Sequence, residues 1–105
     1  MERMAWKGQI RQGCKEEYIR RHHAIWPEML NILQKAGIRN YTIFCTDNEL
    51  FGYYECDKGV AYAEQVQAQS EVVARWNQSM QDVLDLEMDP VTGAQPKLEV
   101  VFRMD

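Results

Sequence analysis

The sequence predicts an α+β domain built on an antiparallel sheet, and three observations carry that reading. Short stretches rich in β-branched and aromatic residues lie near both ends and in the middle of the chain. Two longer stretches with apolar residues at intervals of three and four separate them. The two middle stretches follow one another across Asp47-Asn48-Glu49, which is the spacing of a hairpin. With 105 residues the chain has room for one hydrophobic core, so a single domain over residues 1–105 is expected.

The first strand is expected over Met4–Ile10, where Met4, Trp6 and Ile10 share one side, and it ends before Gly13. From Lys15 the period changes. Tyr18, His22, Ile25, Met29, Ile32, Leu33 and Ala36 recur on one face, while Glu17, Arg20, Arg21, Glu28 and Lys35 point elsewhere. This helical region closes at Gly37, a natural C-terminal cap. Pro27 lacks the N–H for an i to i−4 bond and pushes Trp26 away from helical angles, so two helices are expected. Pro27 suits the first turn of the second, with Glu28 near its positive end. Residues His22 to Trp26 then lie at or just past the end of the first helix.

Asn40–Thr46 and Leu50–Cys56 form the hairpin. Both faces of these strands are apolar or aromatic, so helices are expected to cover one face of the sheet and a partner sheet the other. Val60 to about Val83 reads as one helix, with Val72, Val73, Trp76, Met80, Val83 and Leu84 near a 3.6-residue period. Residues Asp89–Pro96 hold two of the three prolines and read as a loop. Leu98, Val100 and Phe102 alternate with Glu99, Val101 and Arg103 as a last strand. Strand, helix, strand, strand, helix, strand is the ferredoxin-like βαββαβ order.

Composition narrows the function classes. A net charge of −4 with scattered basic residues gives no electrostatic reason to expect nucleic acid or an anionic membrane as partner, so a neutral small molecule is favoured. The apolar runs are too short to span a membrane, and the first residues lack the apolar core of a signal peptide, so a cytoplasmic location is expected. Cys14, Cys45 and Cys56 are odd in number and widely spaced, which favours reduced thiols over disulfides or a zinc site. Three Trp, five Tyr and three Phe in so small a chain make shared burial in a homodimer attractive.

No glycine-rich phosphate loop, dinucleotide fingerprint or metal-ligand spacing is present, so neither cofactor nor metal is expected. His22 and His23 are the only imidazoles, and an imidazole is the side chain best suited to move protons near neutral pH. A solvated or capping role explains a histidine beside arginines equally well. Tyr18 and His22 are four apart and share a helical face, where both can meet one ligand, though Tyr18 can equally cover the sheet. Trp26, Tyr41, Tyr53, Tyr54 and Trp76 have the flat faces and polar tips of a carbohydrate site, and equally those of a core. Glu16-Glu17 and Arg20-Arg21 are explained by pairing along the helix.

The run Glu17-Tyr18-Ile19-Arg20-Arg21-His22-His23-Ala24-Ile25-Trp26-Pro27-Glu28 resembles the L-rhamnose mutarotase family, marked by Tyr-x-x-x-His followed by Ile-Trp-Pro-Glu. The resemblance continues through Gly37-Ile38-Arg39-Asn40-Tyr41, Leu50-Phe51, Arg75-Trp76 and Glu99-Val100 with Phe102. It implies a dimeric α/β barrel and the exchange of α and β anomers of L-rhamnose. Carried across position by position, His22 matches the family's proton donor, and Tyr18, Tyr41 and Trp76 match its sugar-binding positions. The family often has a second tryptophan after Trp76. Here that position is Asn77, an amide that trades a stacking face for hydrogen bonds and can change the preferred sugar.

Anomer exchange needs a proton delivered to the ring oxygen and one removed from the C1 hydroxyl. The expected mechanism uses protonated His22 as the acid, favoured by a helix C-terminus, with Tyr18 or water assisting. Two rivals share the architecture: a cofactor-free monooxygenase of the dimeric α/β barrel type, and a non-catalytic domain that binds a small ligand.

Overall fold

A computed structural model describes residues 1–85 and 96–104. Its elements are β1 (Glu2–Gln9), α1 (Lys15–His23), α2 (Pro27–Lys35), β2 (Ile38–Thr46), β3 (Glu49–Cys56), α3 (Val60–Ala68) and α4 (Glu71–Ser79). The strands form an antiparallel sheet in the order β1-β3-β2, with the hairpin as its β3-β2 half. This is the α+β, ferredoxin-like arrangement.

The break at Pro27 is present: Trp26 is extended (ψ 135°) and Pro27 opens α2. Gly37 sits at φ +81°, and its N–H bonds the Gln34 carbonyl at 3.0 Å, so it closes α2 as a left-handed residue. Glu17 pairs with Arg20 in the first helix as its spacing requires. Arg21, placed 3.7 Å from Glu17, makes its shorter contacts elsewhere.

Register decides which face is buried. Met4, Trp6 and Gly8 stand opposite Tyr54, Gly52 and Leu50, and on the far side Ile43 and Cys45 stand opposite Gly52 and Leu50. Trp6, Leu50 and Tyr54 of this face join Tyr18, Met29, Ala63, Val73 and Met80 of the helical layer in one core. Each large aliphatic side chain so buried contributes roughly 1.5–3 kcal/mol. A β-bulge between Arg39 and Thr42, with Asn40 at φ +52°, sets Tyr41 beside Tyr54, their rings 5.0 Å apart. Gly52 leaves the space over which the Trp6 ring lies: a Cβ there would stand 2.0 Å from Trp6 Cε2.

Three differences from the sequence expectation have physical causes. The single helix expected over Val60–Val83 is two, because the Ser70 hydroxyl accepts a hydrogen bond from the Val73 N–H at 3.2 Å and starts α4 afresh. Val83 and Leu84 reach the core through a turn instead, with the Arg11 N–H bonded to the Val83 carbonyl and Leu84 bridged to Ile10. The last strand is not a regular strand among the described residues. Lys97 bridges Trp6 on the free edge of β1, and the Leu98 N–H bonds the Ala5 carbonyl at 2.8 Å. This is the place of a fourth antiparallel strand. Val100, Val101 and Phe102 lie beyond it, 66%, 88% and 81% exposed, so no further pairing is held by burial. The loop expected at 89–96 lies outside the described residues apart from Pro96. Among the described residues no helix is long and apolar enough to cross a membrane.

Candidate active site

Between the buried face of the sheet and the helices lies a cavity of about 1010 Å³. Tyr18, His22, Tyr41, Trp76 and Asn77, the positions singled out in the sequence, all line it. They come from three separate elements. Tyr18 and His22 project from successive turns of α1, Tyr41 from the bulge of β2, and Trp76 and Asn77 from α4.

His22 is the best-connected of them. Its ring lies 4.2 Å from that of Tyr18 and stands perpendicular to that of Trp76 at 5.4 Å; Trp76 in turn stands perpendicular to Trp26 at 5.2 Å. Its Nδ1 is 3.1 Å from the Tyr18 carbonyl oxygen, which can only accept, so in the neutral ring Nδ1 carries the proton and Nε2 keeps its lone pair. Burial lowers the His22 pKa from its usual 6.5, the Tyr18 carbonyl opposes that change, and His23 adds to it. Burial therefore acts against the imidazolium form that the end of α1 was expected to favour.

Tyr18 is buried, 5% exposed, and its phenol pKa is raised by that burial. The Tyr41 hydroxyl is enclosed and accepts a 2.9 Å hydrogen bond from Trp6 Nε1, although the residue as a whole keeps 36% exposure. Burial raises its pKa as well. Both phenols therefore stay protonated and serve as hydrogen-bonding groups rather than as phenolate bases. Trp76 is buried with its ring perpendicular to that of His22, and Asn77 is an exposed residue at the rim.

Position is enforced from outside the cavity. Arg21 Nη1 donates to the Ser79 carbonyl and to Asp82 Oδ1, each at 2.8 Å, and Nη2 donates to Asp82 Oδ2 at 3.0 Å. That fork ties the helix bearing His22 to the end of the helix bearing Trp76.

Sequence reasoning did not single out Glu64 and Gln67, which also line the cavity from α3. The available signal was a helix with a carboxylate and an amide three apart, interleaved with Ala63 and Val66. Of the strand residues noted earlier, Tyr54 lines the cavity, whereas Tyr53 accepts from Arg3 Nε at 2.9 Å and donates to Glu55 Oε2 at 2.7 Å. All three cysteines are free; Cys45 faces the cavity and Cys56 is buried. Among the described residues no cluster of three His, Cys, Asp or Glu could hold a metal ion.

Comparison with known proteins identifies the family. The family model described as L-rhamnose mutarotase matches residues 3–104. An L-rhamnose mutarotase of Pectobacterium carotovorum is 38% identical, and one of Lachnoclostridium phytofermentans 34% identical, each over the full length of both chains. The crystal structure of L-rhamnose mutarotase from Formosa agariphila superposes with a TM-score of 0.82 at 30% identity and covers both chains completely.

Proposed function

The chain belongs to the L-rhamnose mutarotase family, and from that premise we propose that it is an isomerase exchanging the α and β anomers of L-rhamnose, or of a closely related 6-deoxy sugar. The observation that carries the reading is His22 set between Tyr18 and Trp76 in one cavity, with Nδ1 anchored and Nε2 without a hydrogen-bond partner among the described residues.

In the proposed reaction His22 Nε2 takes the proton of the anomeric hydroxyl. The C1–O5 bond breaks as the C1 oxygen becomes the aldehyde oxygen, and its electron pair goes to O5. The imidazolium just formed returns the proton to O5. Rotation about C1–C2 and the reverse sequence close the ring as the other anomer, leaving His22 neutral. His22 thus acts as base first and as donor to the ring oxygen second, a role worth about 10²–10⁴-fold. Tyr18 and Tyr41 bind hydroxyls, Trp76 offers an apolar face to the C–H side of the sugar, and Asn77 contacts it at the rim.

The working unit we propose is one domain over residues 1–105 paired with a second copy as a homodimer in the cytoplasm. Two features support pairing: the sheet face away from the helices carries Phe44, 61% exposed, and the C-terminal segment exposes Val100, Val101 and Phe102. Three free thiols suit a reducing compartment. Sedimentation equilibrium at twice the chain mass supports the dimer, and a monomer at micromolar concentration overturns it.

Saturation transfer between the anomeric proton signals of L-rhamnose tests the reaction, with L-fucose and D-glucose as comparisons. Acceleration by wild type that is lost in His22→Ala, with the fold intact by circular dichroism, supports it. No acceleration for any sugar overturns it, and oxygen uptake with a quinol would then favour the monooxygenase rival.

A further inference from the structure

Glu64 stands out among the cavity residues because nothing in the proposed proton transfer uses it. It lines the cavity from α3, and its buried Oε1 has one partner among the described residues, the Lys97 ammonium. Lys97, on the C-terminal segment that crosses the edge of β1, brings its Nζ to 2.5 Å from that same Oε1. A carboxylate is an acceptor with several lone-pair directions, and one cation leaves some of them open.

Its neighbours complete a polar wall. Gln67, one helical turn on, donates through Nε2 to the Ala63 carbonyl at 3.1 Å and to the Tyr54 hydroxyl at 3.5 Å. Tyr54 therefore accepts from Gln67 and keeps its own O–H to give. The Tyr54 ring lies 5.0 Å from Tyr41, and Tyr41 shares the cavity wall with Tyr18 and His22. Tyr18, Tyr41 and Tyr54 thus place three phenol rings in the cavity that also holds the imidazole and the carboxylate.

We propose that Glu64, with the Tyr54 hydroxyl, reads ring hydroxyls away from the anomeric carbon and is a specificity-determining residue of this site. The pairing suits the ligand. Each sugar hydroxyl is both donor and acceptor, so a carboxylate that only accepts, beside a phenol free to donate, satisfies adjacent hydroxyls in one orientation. The assignment rests on the mutarotase reading for its substrate, and its test separates the two.

Glu64→Gln and Glu64→Ala are compared with Lys97→Met, which removes the ion pair and leaves the carboxylate. Losing a charge-assisted hydrogen bond predicts a KM for L-rhamnose raised about tenfold or more in Glu64→Ala, with kcat within about threefold of wild type. Lys97→Met keeps KM within about threefold. The 2-, 3- and 4-deoxy analogues of L-rhamnose identify the group being read: for one of them, wild type and Glu64→Ala react alike. Calorimetric titration of L-rhamnose gives a readout that does not depend on turnover, with affinity reduced by the same factor in Glu64→Ala. Unchanged KM and affinity in Glu64→Ala, or equal losses in Glu64→Ala and Lys97→Met across every analogue, overturn the assignment and leave Glu64 as an ion-pair anchor. Wild-type protein that binds L-rhamnose through Glu64 without accelerating exchange would overturn the mutarotase reading alone.

Discussion

His22 Nδ1 lies 3.1 Å from the carbonyl oxygen of Tyr18, one turn earlier on the same helix, so a backbone atom selects the tautomer of the side chain proposed to move the proton. This relationship makes the pH dependence of exchange specific. The resting base must be neutral, and burial has lowered the pKa of His22 from 6.5. The acceleration over buffer is expected to rise with pH through an apparent pKa below 6.5 and to be flat at neutrality, measured by saturation transfer from about pH 4.5 to 8. A rate that falls as pH rises through 6.5 would show imidazolium to be the resting form.

The same depressed pKa carries a stability prediction. The unfolded chain takes up the proton at its ordinary pKa while the folded chain resists it, so the unfolded state binds more protons as pH falls below 6.5. Stability from this group is complete above that pH and declines below it until the folded pKa is passed. The urea midpoint of wild type minus that of His22→Gln should fall as pH is lowered through 6.5, and parallel curves would contradict the assignment.

Tyr41→Phe removes the acceptor for Trp6 Nε1 while Trp6 stays 2% exposed. A buried N–H left without a partner costs about 1–3 kcal/mol, read as a lower urea midpoint at unchanged slope. If Tyr41 also binds the sugar, KM for L-rhamnose rises in the same variant; stability loss with unchanged KM would confine Tyr41 to orienting the indole.

Gly52→Ala places a Cβ where Trp6 Cε2 is only 2.0 Å away. The indole must move, which costs about 3 kcal/mol, at the upper end of overpacking, and breaks its bond to Tyr41. Thermal denaturation and tryptophan fluorescence should both change. A variant as stable as wild type would mean that the ring has room the structure does not show.

Asn77→Trp tests the rim. Asn77 is exposed, so the substitution should alter stability by no more than about 0.5 kcal/mol. Its effect is expected in selectivity: the ratio of kcat/KM for L-rhamnose to that for L-fucose changes by about threefold or more. An unchanged ratio removes position 77 from sugar choice.

Much of this protein was legible in its residues, and where legibility stopped has a physical reason. Helix and strand periods, the Pro27 break and the Gly37 cap are local properties of backbone and side chain, so their positions follow from the residues themselves. The four-residue spacing that puts Tyr18 beside His22 is equally local. The break at Ser70 was missed because one capping hydroxyl overrode an apolar period that continued through it. The bulge that turns Tyr41 toward Tyr54 was missed because a one-residue register shift is decided by what each face can bury.

The sequence by itself determined the order of elements, the candidate histidine and the family resemblance. Only the tertiary structure decided that Trp76 meets His22, that Glu64 shares their cavity and that burial lowers the pKa of the imidazole. Those facts depend on desolvation and on distances between elements far apart in the chain, and neither exists until the sheet and its helices have packed.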